Sequence, residues 1–453
     1  MWSKLERFFD FSSCGATWRL EVCGGITTFA AMSYIIFLQP AIMSGQMFNF
    51  QTGMDFGMLV TTTCLASAFG CLLMGLVANF PVGLAPGMGE NFLFVLSLLP
   101  LCAAATGGKV GDVAAWQLGL GVILVSGVLF AIISFLNVRR FIMNAISPSL
   151  KYAIAAGIGL FIALLGLENS QIIKIESGHF TMCANLHNPA IWVFLAGLVT
   201  IVVLHMYKIR GGILIGILVA AVAALCCGEI KLVNPVGLPA NPLPLIGHAD
   251  LAGVFGHFHL LLPLIVIFTF MALFDTLGTV IGVATQSGLM KGDELPNSTR
   301  IFAADSTATM VGAVAGHSTV TAYIESATGV EAGGRTGVTA IVVGIGFLVA
   351  MFFSPLVGAV AKYMPITAPA LIVVGAMMLK SAAKVTWDDY SEAIPAFLII
   401  IGIPFTNSIA DGMLLGFIVY PIVKLLSGQG RKIGWLTYLL AILLLAYMFW
   451  FKR

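Results

Sequence analysis

Charge is what this chain has least of. Of its 453 residues, 9% are Asp, Glu, Lys or Arg, against about 25% in a soluble domain. Too few charges remain to coat a water-facing surface, which excludes an ordinary soluble globule. The 22 basic and 20 acidic residues nearly cancel, leaving +2, so nothing calls for a nucleic-acid partner. The eight cysteines show no CxxC or zinc spacing; they read as small core residues, and neither a disulfide framework nor a metal site is expected. HExxH, GxSxG and P-loop patterns are all missing, so the chain is not expected to be an enzyme or to need a cofactor. His257 and His259 form a pair without a third ligand and read as a solvated loop. No cleavable leader is seen, and the amphipathic start, MWSKLERFFDF, reads as lying at a membrane surface.

What the chain has in abundance is apolar length. It is 59% hydrophobic, with mean hydropathy +1.02. Apolar segments fall at 18–43, 57–78, 83–99, 116–136, 148–167, 189–207, 211–228, 260–284, 302–315, 318–328, 337–355, 368–382, 393–409 and 411–427. These fourteen predict an all-α polytopic membrane protein. A further apolar stretch, 433–451, follows the basic GQGRK and either spans or lies along the interface. With the N-terminus cytoplasmic, sixteen basic residues fall in inner loops and only Lys109, Lys174, Lys231 and Lys362 in outer ones. That bias is the positive-inside pattern. Fourteen divides as seven plus seven, and an odd number per half makes the second half enter from the opposite side, an inverted repeat. GILIGILV (212–219) and GMLLGFIV (412–419) align at an offset of 200, each closing its half.

Segments three and ten, at corresponding places, do not read as continuous helices. The third, PVGLAPGMGENFLFVLSLLP, is crowded with Gly and Pro, and the tenth, GHSTVTAYIESATGV, is short and rich in Ser, Thr and Gly. Interrupted segments at matching positions of two inverted halves point to a transporter's binding site. Each break also frees helix N-terminal N–H groups. The acids gather there: Glu90 at the break in segment three, Glu325 at that in segment ten, Asp275 in segment eight and Asp305 in segment nine. On a helix, Phe268, Met271, Asp275, Gly278, Thr279 and Gly282 share one face, a wall suited to a flat polar ligand. Asp305, close to Arg300, reads as interfacial, as do Glu21 and Asp411. Glu90 either caps a half-helix beginning at Asn91 or contacts ligand. His317 is the one histidine beside the tenth-segment break.

At these residues the chain resembles the nucleobase–cation symporter 2 group, and within it the AzgA-like permeases for adenine, guanine and hypoxanthine. The likeness is carried by FDTLGTVIGVA (274–284), ADSTATMVGAVAGHSTVTAYIESATGVEAGGRTGVTA (304–340), GGITTFAAMSYIIFLQPAIM (24–43), APGMGEN (85–91) and EAIPAF (392–397). It implies a core domain of segments 1–4 (18–136) and 8–11 (260–355), and a gate domain of segments 5–7 (148–228) and 12–14 (368–427). It also implies short extended stretches in segments 3 and 10, with Asp275 and Glu325 contacting the base and coupled to protons. Three positions depart from the family pattern: Glu90 where an apolar residue is usual, Ala272 where Asp or Asn is common, and GHS (316–318) for GTS. An acid at 90 could compensate for the polar group missing at 272.

The implied function is import of a purine nucleobase with protons across the cytoplasmic (bacterial inner) membrane by alternating access. The candidate substrate-binding residues are Asp275, Glu325, Glu90, Asn91, Phe274, Thr279 and Ser326, with Phe274 or Phe94 covering the ring face. Asp275 and Glu325 are the proton-coupling candidates, because a carboxyl in a dry site is cheapest when neutral. The partners expected are a purine, protons (or Na⁺), the lipid bilayer and, as an option, a second copy in a homodimer. The alternatives are xanthine or uracil as cargo on the same fold, or an uncoupled nucleobase facilitator.

Overall fold

The computed structural model describes residues 2–430 apart from 49, 136–146, 177–178, 183–186, 232, 288, 291–294 and 296, together with 433–434, 437–438, 441–442 and 445. Most of the 433–451 stretch therefore lies outside the described residues. Among these residues nine helices are long and apolar enough to cross a membrane, and Gly212–Cys226 and Tyr390–Thr406 are shorter apolar helices.

The first half opens with α1 (Trp18–Met32) and α2 (Ile35–Met43), separated by a break at Ser33 and Tyr34. It continues with α3 (Phe56–Leu73), β1 (Leu84–Pro86), α4 (Met88–Leu93), α5 (Val113–Phe135) and α6 (Pro148–Asn169). A small hairpin, β2 (Ile173–Glu176) and β3 (His179–Met182), precedes α7 (Pro189–Met206) and α8 (Gly212–Cys226). The second half holds α9 (Phe258–Ser287), α10 (Ser298–Val314), β4 (Val320–Ala322), α11 (Ser326–Glu331) and α12 (Gly337–Ala350). It closes with α13 (Ala368–Leu379), α14 (Tyr390–Thr406) and α15 (Ile409–Leu426).

The two interrupted segments meet. β1 and β4 pair antiparallel, with Leu84 opposite Ala322, Ala85 opposite Thr321 and Pro86 opposite Val320. The ladder is extended by Gly87 N–H to Thr319 O (3.1 Å) and Tyr323 N–H to Gly83 O (3.0 Å). Non-helical backbone deep in an apolar protein persists only where its N–H and C=O groups are satisfied internally, and each strand meets that need for the other. Past the strands the chain turns helical at once, α4 behind its N-cap Gly87 and α11 behind its N-cap Glu325.

Around this crossing the helices fall into two packing groups. α5 lies on α9 and α10, while α12 lies on α1 and α3, and α11 on α1 and α9. Separately, α6 lies on α13 and α14, α14 on α15, and α7 on α8 and α13. Backbones touch in the second group: a Cβ on Gly159 would stand 2.6 Å from Gly375 O, and one on Gly375 2.5 Å from Gly159 O. Small residues make such close approach of apolar helices feasible.

Two charged side chains are used as fasteners. Glu21, expected at an interface, is instead fully buried in protein. Its carboxylate accepts from the backbone N–H of Arg335 (2.9 Å), Thr336 (3.1 Å) and Thr339 (3.1 Å) and from the Thr339 hydroxyl (2.6 Å). It thus answers the free donors and positive dipole end of α12, a partner the sequence did not reveal. On the other group, the Lys424 ammonium is buried 2.8 Å from Glu392, with Asp389 at 3.5 Å. Glu392 also accepts from the Tyr420 hydroxyl (3.0 Å) and from Ser147 ahead of α6, tying α6, α14 and α15 together. Bonds from the Ser391 hydroxyl and N–H hold the Asp389 carboxyl below its ordinary range.

Removing one member of a buried pair strands the other. Lys424→Met should therefore lower stability by about 3 kcal/mol, seen as a reduced thermal midpoint in detergent, and adding Glu392→Gln should recover part of the loss. Because Asp389 has its folded pKa below the unfolded one, its stabilising contribution is complete above the ordinary carboxylate range. It should be lost as pH falls through the lowered value, and Asp389→Asn should flatten that part of the stability–pH curve.

Candidate functional site

The crossing gathers the acids. Asp275 lies near the middle of α9, deep within the protein mass, yet its side chain is accessible. Depth and accessibility together mean that it faces a cavity. One turn on, a Cβ on Gly278 would have no heavy atom within 4 Å, so the cavity continues along this face. Glu325 stands half-buried at the start of α11 and accepts a 2.8 Å bond from the Tyr34 hydroxyl. Tyr34 stands at the break between α1 and α2, which nothing in the apolar pattern over 18–43 announces. Asp275 and Glu325 are close enough for their charges to interact. Thr279 is nearly buried on the same face of α9.

Glu90 is the third residue of α4, which begins at Met88 rather than Asn91. Its carboxylate folds back over the N-cap: a Cβ on Gly87 would stand 2.2 Å from Glu90 Oε2. This is the position from which an acid answers a helix N-terminus. Glu90 Oε1 is buried and has no hydrogen-bond partner among the described residues. Glu90 also lies within electrostatic reach of Asp275 and Asp305. Ala272 packs in an apolar cluster with Phe130, Leu273, Leu277 and Phe302.

Asp305 departs from its expected interfacial position. It is fully buried, accepts 2.5 Å from the Thr276 hydroxyl, and Thr276 in turn meets the Thr321 hydroxyl at 3.1 Å. This chain links α10, α9 and β4 behind the cavity, and Asp305 joins the acid cluster through its interaction with Asp275. Proximity to Arg300 in sequence suggested the interface, but Asp305 lies more than a turn into α10, on its inward face.

The remaining candidates divide between lining and support. The Ser326 hydroxyl accepts from Gly83 N–H at 3.0 Å, joining α11 to the chain ahead of β1. Asn91 is fully buried and accepts from the Ser318 hydroxyl, leaving its Nδ2 without a partner among the described residues. His317 is buried, its Nδ1 2.9 Å from Ser318 O, in a space that a side chain on Gly312 would fill. The Phe274 ring stacks on Phe270 (6.0 Å, 9° between planes) and has the Lys151 ammonium 4.2 Å from its centroid. It therefore faces α6 rather than the cavity, since adjacent helical residues point about 100° apart. Phe94 is buried against Gly119 of α5. Neither ring is thus free to cover a ligand in this conformation. Tyr34 and Tyr323, which sequence reasoning did not select, stand nearer the acids; the Tyr323 hydroxyl donates to Pro86 O at 2.5 Å.

Two half-helix starts and several carboxyl groups meet here, an arrangement of donors and acceptors with the hydrogen-bonding capacity for a small polar ligand. Residues 19–415 match Xan_ur_permease, a permease family. The guanine/hypoxanthine permease PbuG of Bacillus subtilis is 41% identical over 99% of this chain and 100% of its own length. The adenine permease AdeQ of Escherichia coli is 38% identical over 95% of this chain and 93% of its own. Among solved structures, the transmembrane domain of the cyanobacterial bicarbonate transporter BicA has a TM-score of 0.63 at 13% identity, covering 88% of this chain and 98% of that domain. At that identity the likeness is one of fold, the seven-plus-seven inverted repeat. A membrane-crossing chain with paired broken segments, matched almost end to end by permeases, belongs to the Xan_ur_permease family, the nucleobase–cation symporter 2 group, and is a multi-pass membrane transporter and not an enzyme.

Proposed function

We propose that this transporter imports a purine nucleobase, guanine, hypoxanthine or adenine, together with protons. The observation that carries the reading is the convergence of Asp275 and Glu325 on one cavity beside the starts of α4 and α11. The relatives named for guanine/hypoxanthine and adenine transport supply the chemical class of the cargo. A purine offers N–H donors, which ionised carboxylates accept, and ring nitrogens, which need donors such as freed helix N–H groups. Anionic cargo would be repelled by two acids.

Asp275 is the principal proton carrier in this reading, and Glu325, held by Tyr34, is the main acid for the base. Glu90 and Asn91 belong to the α4 side of the site. Segments 1–4 and 8–11 form a core that moves against a gate of segments 5–7 and 12–14, and the two packing groups support that division. With the N-terminus cytoplasmic, α9 begins on the outer side, as the loop charges favour.

Uptake of radiolabelled guanine, hypoxanthine, adenine and uracil by cells lacking their own permeases tests the proposal. A purine should accumulate and a protonophore should abolish its accumulation; uracil accumulation alone, or indifference to the protonophore, would reject cargo or coupling respectively. Asp275→Asn and Glu325→Gln should each cut purine accumulation by about 100-fold, the scale expected when a ligand-bound charge is removed. Tyr34→Phe should weaken apparent purine affinity about tenfold by freeing Glu325 from its donor. Glu90→Leu should change the ranking among purines; unchanged uptake and ranking would limit Glu90 to holding the start of α4.

A further inference from the structure

The face of α9 that carries Asp275 is closed on one side of the acid and open on the other. Leu261, Leu264, Phe268 and Met271 precede it at helical spacing, and all are buried. Gly278 and Thr285 follow it, and both are exposed, with Gly282 between them half-buried. Ile324, next to Glu325, is exposed as well and lies 3.5 Å from a Cβ placed on Gly282. Accessibility therefore continues from Asp275 toward the C-terminal end of α9 and stops at Met271.

What closes it belongs to the other packing group. Ile158 of α6 is buried and projects to the start of α4: a Cβ on Gly89 would stand 3.1 Å from Ile158 Cδ1 and 3.3 Å from Met271 Cε. Two turns earlier on α6, Lys151 stands over Phe274, the neighbour of Asp275. α6 thus meets α4 through Ile158 and, one turn on, through Phe161, edge-on to Phe92 with 5.9 Å between centroids, and it meets α9 through Lys151 beside the acid.

We propose that Ile158, set over Gly89 on the side where Met271 also approaches, is the residue that seals the acid cluster from the outer side, and that the Lys151–Phe274 contact holds the cavity open toward the cytoplasm. The proposal rests on the alternating-access reading above and on α9 beginning outside. Both contacts join helices of different packing groups, so sliding one group along the other breaks them together. An isoleucine suits a seal that must part without leaving a buried polar group unpaired. A cation over a ring suits a latch, since it adds about 1 kcal/mol without fixing a single geometry.

The test needs no cargo. Gly278→Cys places a thiol in open space, and its reaction with a membrane-impermeant methanethiosulfonate reagent is followed from outside in intact cells and from the cytoplasmic side in inside-out vesicles. The chain without the new cysteine gives the baseline. Labelling should be about tenfold faster from the cytoplasmic side, as a population biased toward one state requires. Ile158→Ala should raise the outside rate about tenfold, and the milder Ile158→Val should raise it less, while the cytoplasmic rate certifies that each variant is inserted and folded. Lys151→Met should shift labelling toward the outside with Ile158 intact. Equal labelling from both sides with Ile158 in place, or an outside rate unmoved by either Ile158 variant, overturns the proposal. Absence of purine uptake with the expected labelling would instead reject the cargo and leave the seal standing.

Discussion

The fold depends on one exchange of backbone hydrogen bonds, the pairing of Leu84–Pro86 with Val320–Ala322. A chain this apolar has almost no water to satisfy extended backbone at depth, so neither stretch could persist alone. Paired, they hold two half-helices with their starts beside the crossing and so create a region where polar backbone, carboxyl groups and an open cavity coincide. Thr276, Thr321 and Asp305 brace the strand pair from behind, and Ser326 braces it from the side. Two of the acids there are met by hydroxyl donors, Glu325 by Tyr34 and Asp305 by Thr276.

Charge is rationed according to task. Glu21 and the Lys424 cluster are fully engaged by partners and act as fasteners, one for α12 and the other for α6, α14 and α15. Asp275 and Glu325 are treated differently. They are close to each other, no cation partners either carboxylate among the ion pairs of the described residues, and they face a cavity. Carboxyls placed in this way gain from losing their charge when dry and from regaining it when a donor arrives, which is the physical content of the proposed coupling. Glu90 lies between the two kinds: one side of its carboxylate answers a helix start, and the other is buried without a partner.

The two packing groups give this chemistry somewhere to go. Within each, glycine contacts and buried charge make tight joints. Between them at α6, the contacts are an isoleucine over Gly89, a phenylalanine edge-on to another (Phe161 and Phe92) and a lysine over a phenylalanine, all of which can be exchanged without stranding a buried hydrogen bond. A transporter needs that contrast: stiff bodies and a seam that slips.

The sequence by itself determined that the chain lives in a membrane, how many segments it offers, that two of them are broken, and that Asp275 and Glu325 belong beside the breaks. Those features follow from composition, periodicity and glycine–proline spacing, which are local and one-dimensional. The tertiary structure alone decided that Tyr34 reaches Glu325, that Glu21 and Asp305 are buried in protein, and that Phe274 faces α6. Tyr34 and Glu325 are separated by 291 positions, and Glu21 and Thr339 by 318. No local pattern records such meetings, because a side chain's direction around a helix matters only once a neighbour is in place.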